Sequence, residues 1–264
     1  MIKFLKVLGI SSASVALALG LGTAARADLV LSPIYVDLES KQGKASGVLN
    51  VSNTGSEPIR VRLSPTPFTY NENGEFQRVP TTANDLTPYL QYSPGEVTIL
   101  PGKTRRVRLL TLLPPNLADG EYRAAMFAET LSNFNTAAGY RINLITRIGS
   151  AIYVSKGNIA PNLQAQSATF NPTSQQLRLK VSNTGQATAR VQIQWSLKLK
   201  DTEIAAATVG SSILPGLSPS ILLNRSPNSA KLAPGEYSLA VKLIWGQSPN
   251  QTTPFKFKVV IPSI

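Results

Sequence analysis

Two close carboxylate pairs, Asp119/Glu121 and Asp201/Glu203, are the nearest this chain comes to a set of residues that does acid-base work. Paired carboxylates serve glycoside hydrolysis, one as proton donor and the other as base or nucleophile. Both pairs stand beside turn signals, and neither has an aromatic cluster around it to hold a sugar. The chain has no His and no Cys, which removes His-assisted nucleophiles, zinc and haem ligation, and any disulfide framework. No Asp-rich loop offers the ligand spacing of calcium. The expectation is a protein without catalysis, cofactor or metal. Trp195 and Trp245 are expected in the core, not as ligand platforms.

What remains is cationic. Lys103, Arg105, Arg106 and Arg108, with Arg60 and Arg62, are the raw material for a sheet face that holds an acidic polymer. Alternation sets Arg106 and Arg108 on one face and Val107 and Leu109 on the other, the ordinary pattern of a solvated strand. The whole chain of 264 residues carries a net charge of +12. Its first 27 residues read as an export signal: Lys3 and Lys6, an uncharged run from Val7 to Ala25, then the small-x-small site Ala25-Arg26-Ala27. Cleavage before Asp28 leaves 23 basic against 14 acidic residues, or +9. Export makes nucleic acid an improbable partner. No later apolar run is long enough to span a bilayer, so no stable membrane insertion is expected after cleavage. Residues 158–264 hold ten basic and three acidic residues, against 13 and 11 in 28–157, so most of the excess lies in the second half.

The elements that must position these side chains read as strands. Short β-branched runs punctuated by Pro, Gly and Asn recur after residue 28, with little helical periodicity. Strands are expected over Val30 to Leu38, Gly47 to Asn53, Ile59 to Leu63, Thr104 to Leu112, Tyr122 to Thr130 and Tyr140 to Val154. In the second half they are expected over Leu177 to Asn183, Arg190 to Leu199, Glu236 to Ile244 and Phe255 to Ile261. An internal repeat organises them. Val51-Ser52-Asn53-Thr54-Gly55 returns as Val181-Ser182-Asn183-Thr184-Gly185, Ile99-Leu100-Pro101-Gly102 as Ile213-Leu214-Pro215-Gly216, and Gly120-Glu121-Tyr122 as Gly235-Glu236-Tyr237. The offsets are 130, 114 and 115 residues, which places a longer loop near residues 68–92 in the first copy. The fold class is therefore all-β, with two immunoglobulin-like β-sandwich domains in tandem over 28–157 and 158–264. A hinge is expected near 155–162. The tyrosines fit tyrosine corners. Each Asn-Thr-Gly fits a tight turn, with Asn supplying local hydrogen bonds and Gly a positive φ.

Several motifs of the first half resemble one family. Leu31-Ser32-Pro33-Ile34-Tyr35-Val36 resembles the first strand of the PapD-like periplasmic chaperones of pilus assembly, and Leu49-Asn50-Val51-Ser52-Asn53 resembles their second. Leu100-Pro101-Gly102 resembles the turn before their Arg-rich strand, Asp119-Gly120-Glu121-Tyr122-Arg123 the entry to strand F, and Leu144-Ile145-Thr146-Arg147-Ile148 their long strand G. The likeness spans roughly residues 29–155.

That resemblance implies a binding mechanism: the chaperone lends strand G to a secreted subunit whose own sandwich lacks its last strand. Tyr140, Ile142 and Leu144 alternate as a donor strand must, since backbone bonds give affinity and alternate side chains fill pockets. Any half-buried strand alternates in the same way. The implied partners are secreted pilus-like subunits and an outer-membrane usher, in the periplasm. The family also holds the subunit's terminal carboxylate with an Arg and a Lys in the interdomain cleft. Here the matching positions are Tyr35 and Gly149, neither of which carries charge. Arg147 and Lys156 are the expected substitutes. The alternative reading is a non-catalytic structural or adhesive immunoglobulin-like protein of the envelope.

Overall fold

The computed structural model describes residues 29–131, 134–135, 141–142, 145–226, 229–246 and 251–262. The expected export signal, residues 1–27, lies outside them. Among the described residues there is no α-helix, and no helix long and apolar enough to cross a membrane.

The first sandwich is built from β1 (Leu29–Ser32), β2 (Tyr35–Glu39), β3 (Lys44–Asn53), β4 (Ile59–Thr66), β5 (Phe68–Tyr70), β6 (Phe76–Arg78), β7 (Leu90–Ser93), β8 (Glu96–Ile99), β9 (Thr104–Leu112), β10 (Gly120–Thr130), β11 (Phe134–Asn135), β12 (Arg141–Ile142) and β13 (Arg147–Lys156). One sheet runs β1-β3-β9-β7 and the facing sheet β2-β13-β10-β4-β8. Between them pack Leu29, Leu49, Val51, Val61, Val107, Leu109, Met126 and Ile152, all nearly or fully buried.

The single strand expected over Val30 to Leu38 is two. β1 pairs antiparallel with β3, and β2 pairs parallel with β13, so the chain changes sheets at Pro33-Ile34. Proline has no N–H to continue a ladder. The run expected over Tyr140 to Val154 is also divided. β13 starts at Arg147, and Arg141–Ile142 pair instead with Phe134–Asn135.

The second sandwich has β14 (Leu163–Asn171), β15 (Gln176–Asn183), β16 (Ala189–Leu199), β17 (Thr202–Ile213), β18 (Ser220–Leu223), β19 (Gly235–Trp245) and β20 (Gln251–Ile261). Its sheets run β14-β15-β18 and β17-β16-β19-β20. Trp195 and Trp245 are buried in its core with Ile193, Leu197, Tyr237, Leu239 and Val241.

The repeated motifs do the same work in both copies. The Asn53 side chain donates to the Glu57 and Ile99 carbonyls and accepts from the Gly55 N–H. Asn183 does this with Ala187, Ile213 and Gly185. Neither Gly55 nor Gly185 has the expected positive φ. What excludes a side chain at Gly185 is close approach, since a Cβ there would strike the Ala160 carbonyl and the Asn162 nitrogen. In the repeated Pro-Gly turns, by contrast, Gly102 and Gly216 are left-handed. The tyrosine corners close at Tyr122 Oη to Ala118 O (2.8 Å) and Tyr237 Oη to Ala233 O (3.0 Å).

A third, smaller apolar cluster joins the two sandwiches: Phe68, Ala125, Tyr153 and Leu214, with Leu217 packed against it. Phe68 belongs to the β5–β6 hairpin, which lies in the longer loop region of the first copy. The tip of that hairpin is fastened to the second sandwich. Ser220 N donates to Glu72 O at 2.7 Å, and Arg178 Nη1 donates to Asn73 Oδ1 at 3.1 Å. The connecting segment is held as well, with Gln186 N bonded to Ala160 O and Thr184 N to Asn162 O, both at 2.9 Å.

Candidate functional site

The change of sheets between β1 and β2 leaves an open edge. β2 pairs with β13 only over Ala151 to Ser155. Arg147 to Ser150 therefore have β10 on one side and no strand on the other among the described residues. Beside this edge Ile34 stands 78% exposed, while the Ile34 carbonyl accepts from Ala151 N and the Pro33 carbonyl from Ser150 Oγ. An unpaired row of N–H and C=O groups is a template for another strand.

The sheet face next to the edge is apolar. Alternation along β10 and β13 turns Ala125, Phe127, Gly149 and Ala151 away from the core. With Ile34, Tyr70 and Phe76 they line a hollow of about 290 Å³. The β5–β6 hairpin supplies its aromatic wall: Phe76 stacks on Phe68 (5.2 Å) and meets Phe127 edge-on (5.9 Å). The Arg147 guanidinium covers the Phe127 ring at 4.3 Å. Gly149 is small for a physical reason, because a Cβ there would lie 2.9 Å from that ring. A lysine at this position would have to displace Phe127.

The cleft between the sandwiches carries its own charges. Arg190, from β16, lies over the Tyr35 ring at 3.9 Å and the Tyr153 ring at 4.8 Å, and donates to Asp37 Oδ1 at 2.8 Å. Tyr35 thus seats a guanidinium delivered by the other sandwich. Deeper, the Glu121 carboxylate accepts the Thr188 N–H at 2.7 Å and the Thr188 hydroxyl. Burial pushes the Glu121 carboxyl up from its ordinary value, against the Thr188 bonds that favour the ionised form. Arg123 is 6% exposed, and its Nε and Nη1 have no hydrogen-bond partner among the described residues. Burial lowers its guanidinium and raises the Tyr153 phenol beside it, while Glu121 opposes the first shift.

The residues singled out from the sequence fall as follows. Tyr140 and Leu144 lie outside the described residues; Ile142 is described in its backbone, paired with Phe134. Arg147 forms an ion pair with Glu129 at 3.7 Å. Lys156 donates to the Pro115 and Leu117 carbonyls. The contacts of both lie within the first sandwich. Arg106 and Arg108 are exposed on the β1-β3-β9-β7 sheet, whereas Arg60 and Arg62 belong to the other sheet and pair with Glu96, so the six cations share no face. Sequence reasoning missed Arg190, Arg123 and Thr188. The one available signal was that Glu121 and Arg123 flank Tyr122 and so must point away from the core that Tyr122 enters.

No protein-family model matches the sequence, and no curated protein does. Solved structures match over nearly the whole chain. The YadV chaperone shares 14% identity with a TM-score of 0.52, over 88% of this chain and 99% of that one. A chaperone and tip adhesion subunit pre-assembly complex, CsuC–CsuE from the archaic chaperone-usher Csu pili of Acinetobacter baumannii, matches at 17% and 0.50 over the same shares. The chain has the PapD-like chaperone fold. In that fold the open β13 edge, the aromatic hollow and the Arg190 cleft occupy one continuous side of the molecule, along β2, β13 and β10.

Proposed function

We propose that this protein is a periplasmic chaperone that binds secreted subunits of a pilus or surface fibre by lending them a strand. The observation that carries the proposal is the open edge of β13 from Arg147 to Ser150, directly after the alternating Tyr140 to Leu144 segment. A subunit strand pairs with that edge, and its apolar groove receives Tyr140, Ile142 and Leu144. The hollow under Phe76 and Phe127 gives the subunit an apolar seat next to the paired strands. Arg190 serves as the cleft cation in place of the expected Arg147 and Lys156. A subunit's terminal carboxylate exchanges with Asp37 on its guanidinium, a charge-assisted contact. Delivery to an outer-membrane usher follows on the same reading, as do cleavage before Asp28 and domains over 28–157 and 158–264.

Co-purification from the periplasm of an exported subunit with an incomplete sandwich tests this reading. Ile142→Asp is expected to abolish capture, because a carboxylate entering an apolar groove bears a large desolvation cost, while the melting temperature stays unchanged. Lost folding would mean that Ile142 fills the protein's own core. A folded variant with intact capture would reject strand donation and leave the adhesive envelope reading.

A further inference from the structure

The outward side of the sheet β1-β3-β9-β7 has no part in strand lending. Its strands carry Lys44, Arg105, Arg106 and Arg108 and no acidic residue, whereas the facing sheet β2-β13-β10-β4-β8 carries five residues of each sign. Pairing sharpens the contrast. Arg60, Arg62, Arg147 and Arg190 each stand against a carboxylate, but Lys44, Lys103, Arg105, Arg106 and Arg108 are exposed and have no ion pair among the described residues. Exposed aliphatic side chains collect on the same sheet. Val30, Leu110 and Leu112 lie on its strands and Leu100 in the turn beside Lys103, each between 39% and 54% exposed. Single exposed apolar residues are ordinary, but a group of them interleaved with unpaired cations marks an interaction surface. The register lays the face out: Asn50 pairs with Arg106, Val48 with Arg108, Ser46 with Leu110 and Lys44 with Leu112. All of these alternate with the core residues Leu49, Val51, Val107 and Leu109 and so point away from the core.

We infer that this face seats the protein on an anionic phospholipid surface, peripherally and without a membrane span. Charge and apolarity together select the occupant. A guanidinium binds phosphate through a fork of N–H donors, which Arg106 and Arg108 present side by side along β9. An acidic polysaccharide or peptide would answer that charge but leave Leu110 and Leu112 in water. An anionic bilayer takes both, because interfacial binding adds buried apolar area to the attraction between basic side chains and headgroups. In the second sandwich Lys242 and Lys256 also face outward, yet they stand around Ser196, Ala206 and Ala240, whose side chains are too short to reach past the headgroups. The orientation that follows is useful. The two sheets of a sandwich turn their outward sides in opposite directions, so a chain resting on lipid through β3 and β9 leaves the open edge of β13 and its aromatic hollow free for a partner.

Flotation of the full exported chain, from Asp28, with lipid vesicles tests the inference. The wild type is expected to float with vesicles of phosphatidylcholine mixed with phosphatidylglycerol and not with phosphatidylcholine alone, and rising salt is expected to release it. Arg106→Gln combined with Arg108→Gln lowers the partition about 25-fold, at about fivefold for each cation near the surface. Leu110→Ser combined with Leu112→Ser keeps the charge and weakens binding at every salt concentration. Lys242→Gln combined with Lys256→Gln removes the same charge from the other sandwich and is expected to lower the partition by much less. All three pairs sit on exposed positions and leave the melting temperature unchanged. A wild type that stays off the phosphatidylglycerol vesicles at low salt overturns the inference, as does an equal loss in the Lys242 and Lys256 pair or binding that the leucine pair leaves unaltered. Retention on heparin without binding to the vesicles would assign the face to an acidic polymer, and would equally overturn it.

Discussion

Glu121 and Glu236 stand at the same place in the same Gly-Glu-Tyr motif, yet they live in opposite environments. The tyrosine that follows each is buried and closes the same corner. Glu236 is exposed and pairs with Lys258 at 2.9 Å, whereas Glu121 is 4% exposed and holds Thr188 of the other sandwich. Residues directed at a sandwich's own core repeat because the same fold makes the same demand twice. Residues directed outward are answerable to whatever covers them, and only the first sandwich is covered there.

The comparison is open to test, beginning with its strongest element. Asn53→Ala and Asn183→Ala each orphan buried backbone groups and are expected to cost about 3 kcal/mol in urea unfolding. The Asn183 variant should lose more, since Asn183 Oδ1 also accepts the Asn162 N–H. Equal losses would show that the extra bond to the connecting segment contributes nothing. Tyr122→Phe and Tyr237→Phe remove one hydroxyl bond each, for about 1 to 2 kcal/mol apiece. Nearly equal values would support two copies of one corner.

Glu121→Gln separates the copies by pH. The folded state holds the Glu121 proton to higher pH than the unfolded chain, because burial raises its pKa. The contribution of this group to stability is therefore full below its ordinary value and declines as pH rises through the raised one. The difference in melting temperature between wild type and variant should drift in that direction across mildly acidic pH; a flat difference would sink the claim that Glu121 is a buried interdomain group. The smallest effect belongs to Glu236→Gln, expected to shift stability by less than about 0.5 kcal/mol, as exposed ion pairs do.

Much of the fold was legible in the chain because strand alternation and turn chemistry are local. Thr104 to Leu112 carries its exposed arginines and buried Val107 and Leu109 as alternation requires, and the repeat located both corners. The candidate site was legible only in part. Tyr35 and Gly149 were recognisable as uncharged, but why they are so was not, since their reasons are Arg190 and the Phe127 ring. The β5–β6 hairpin left only a length difference between the copies.

The sequence by itself determined two β-sandwiches with matched turns and corners, because every residue involved answers to neighbours within a few strands of its own domain. The tertiary structure alone decided that, among the described residues, no strand pairs with β13 from Arg147 to Ser150 opposite β10, that Glu121 grips Thr188, and that Arg190 of β16 lies over the Tyr35 ring. These depend on which outward faces meet when one sandwich is laid against the other. The strand period tells which side a residue takes but carries no information about what lies beyond that side.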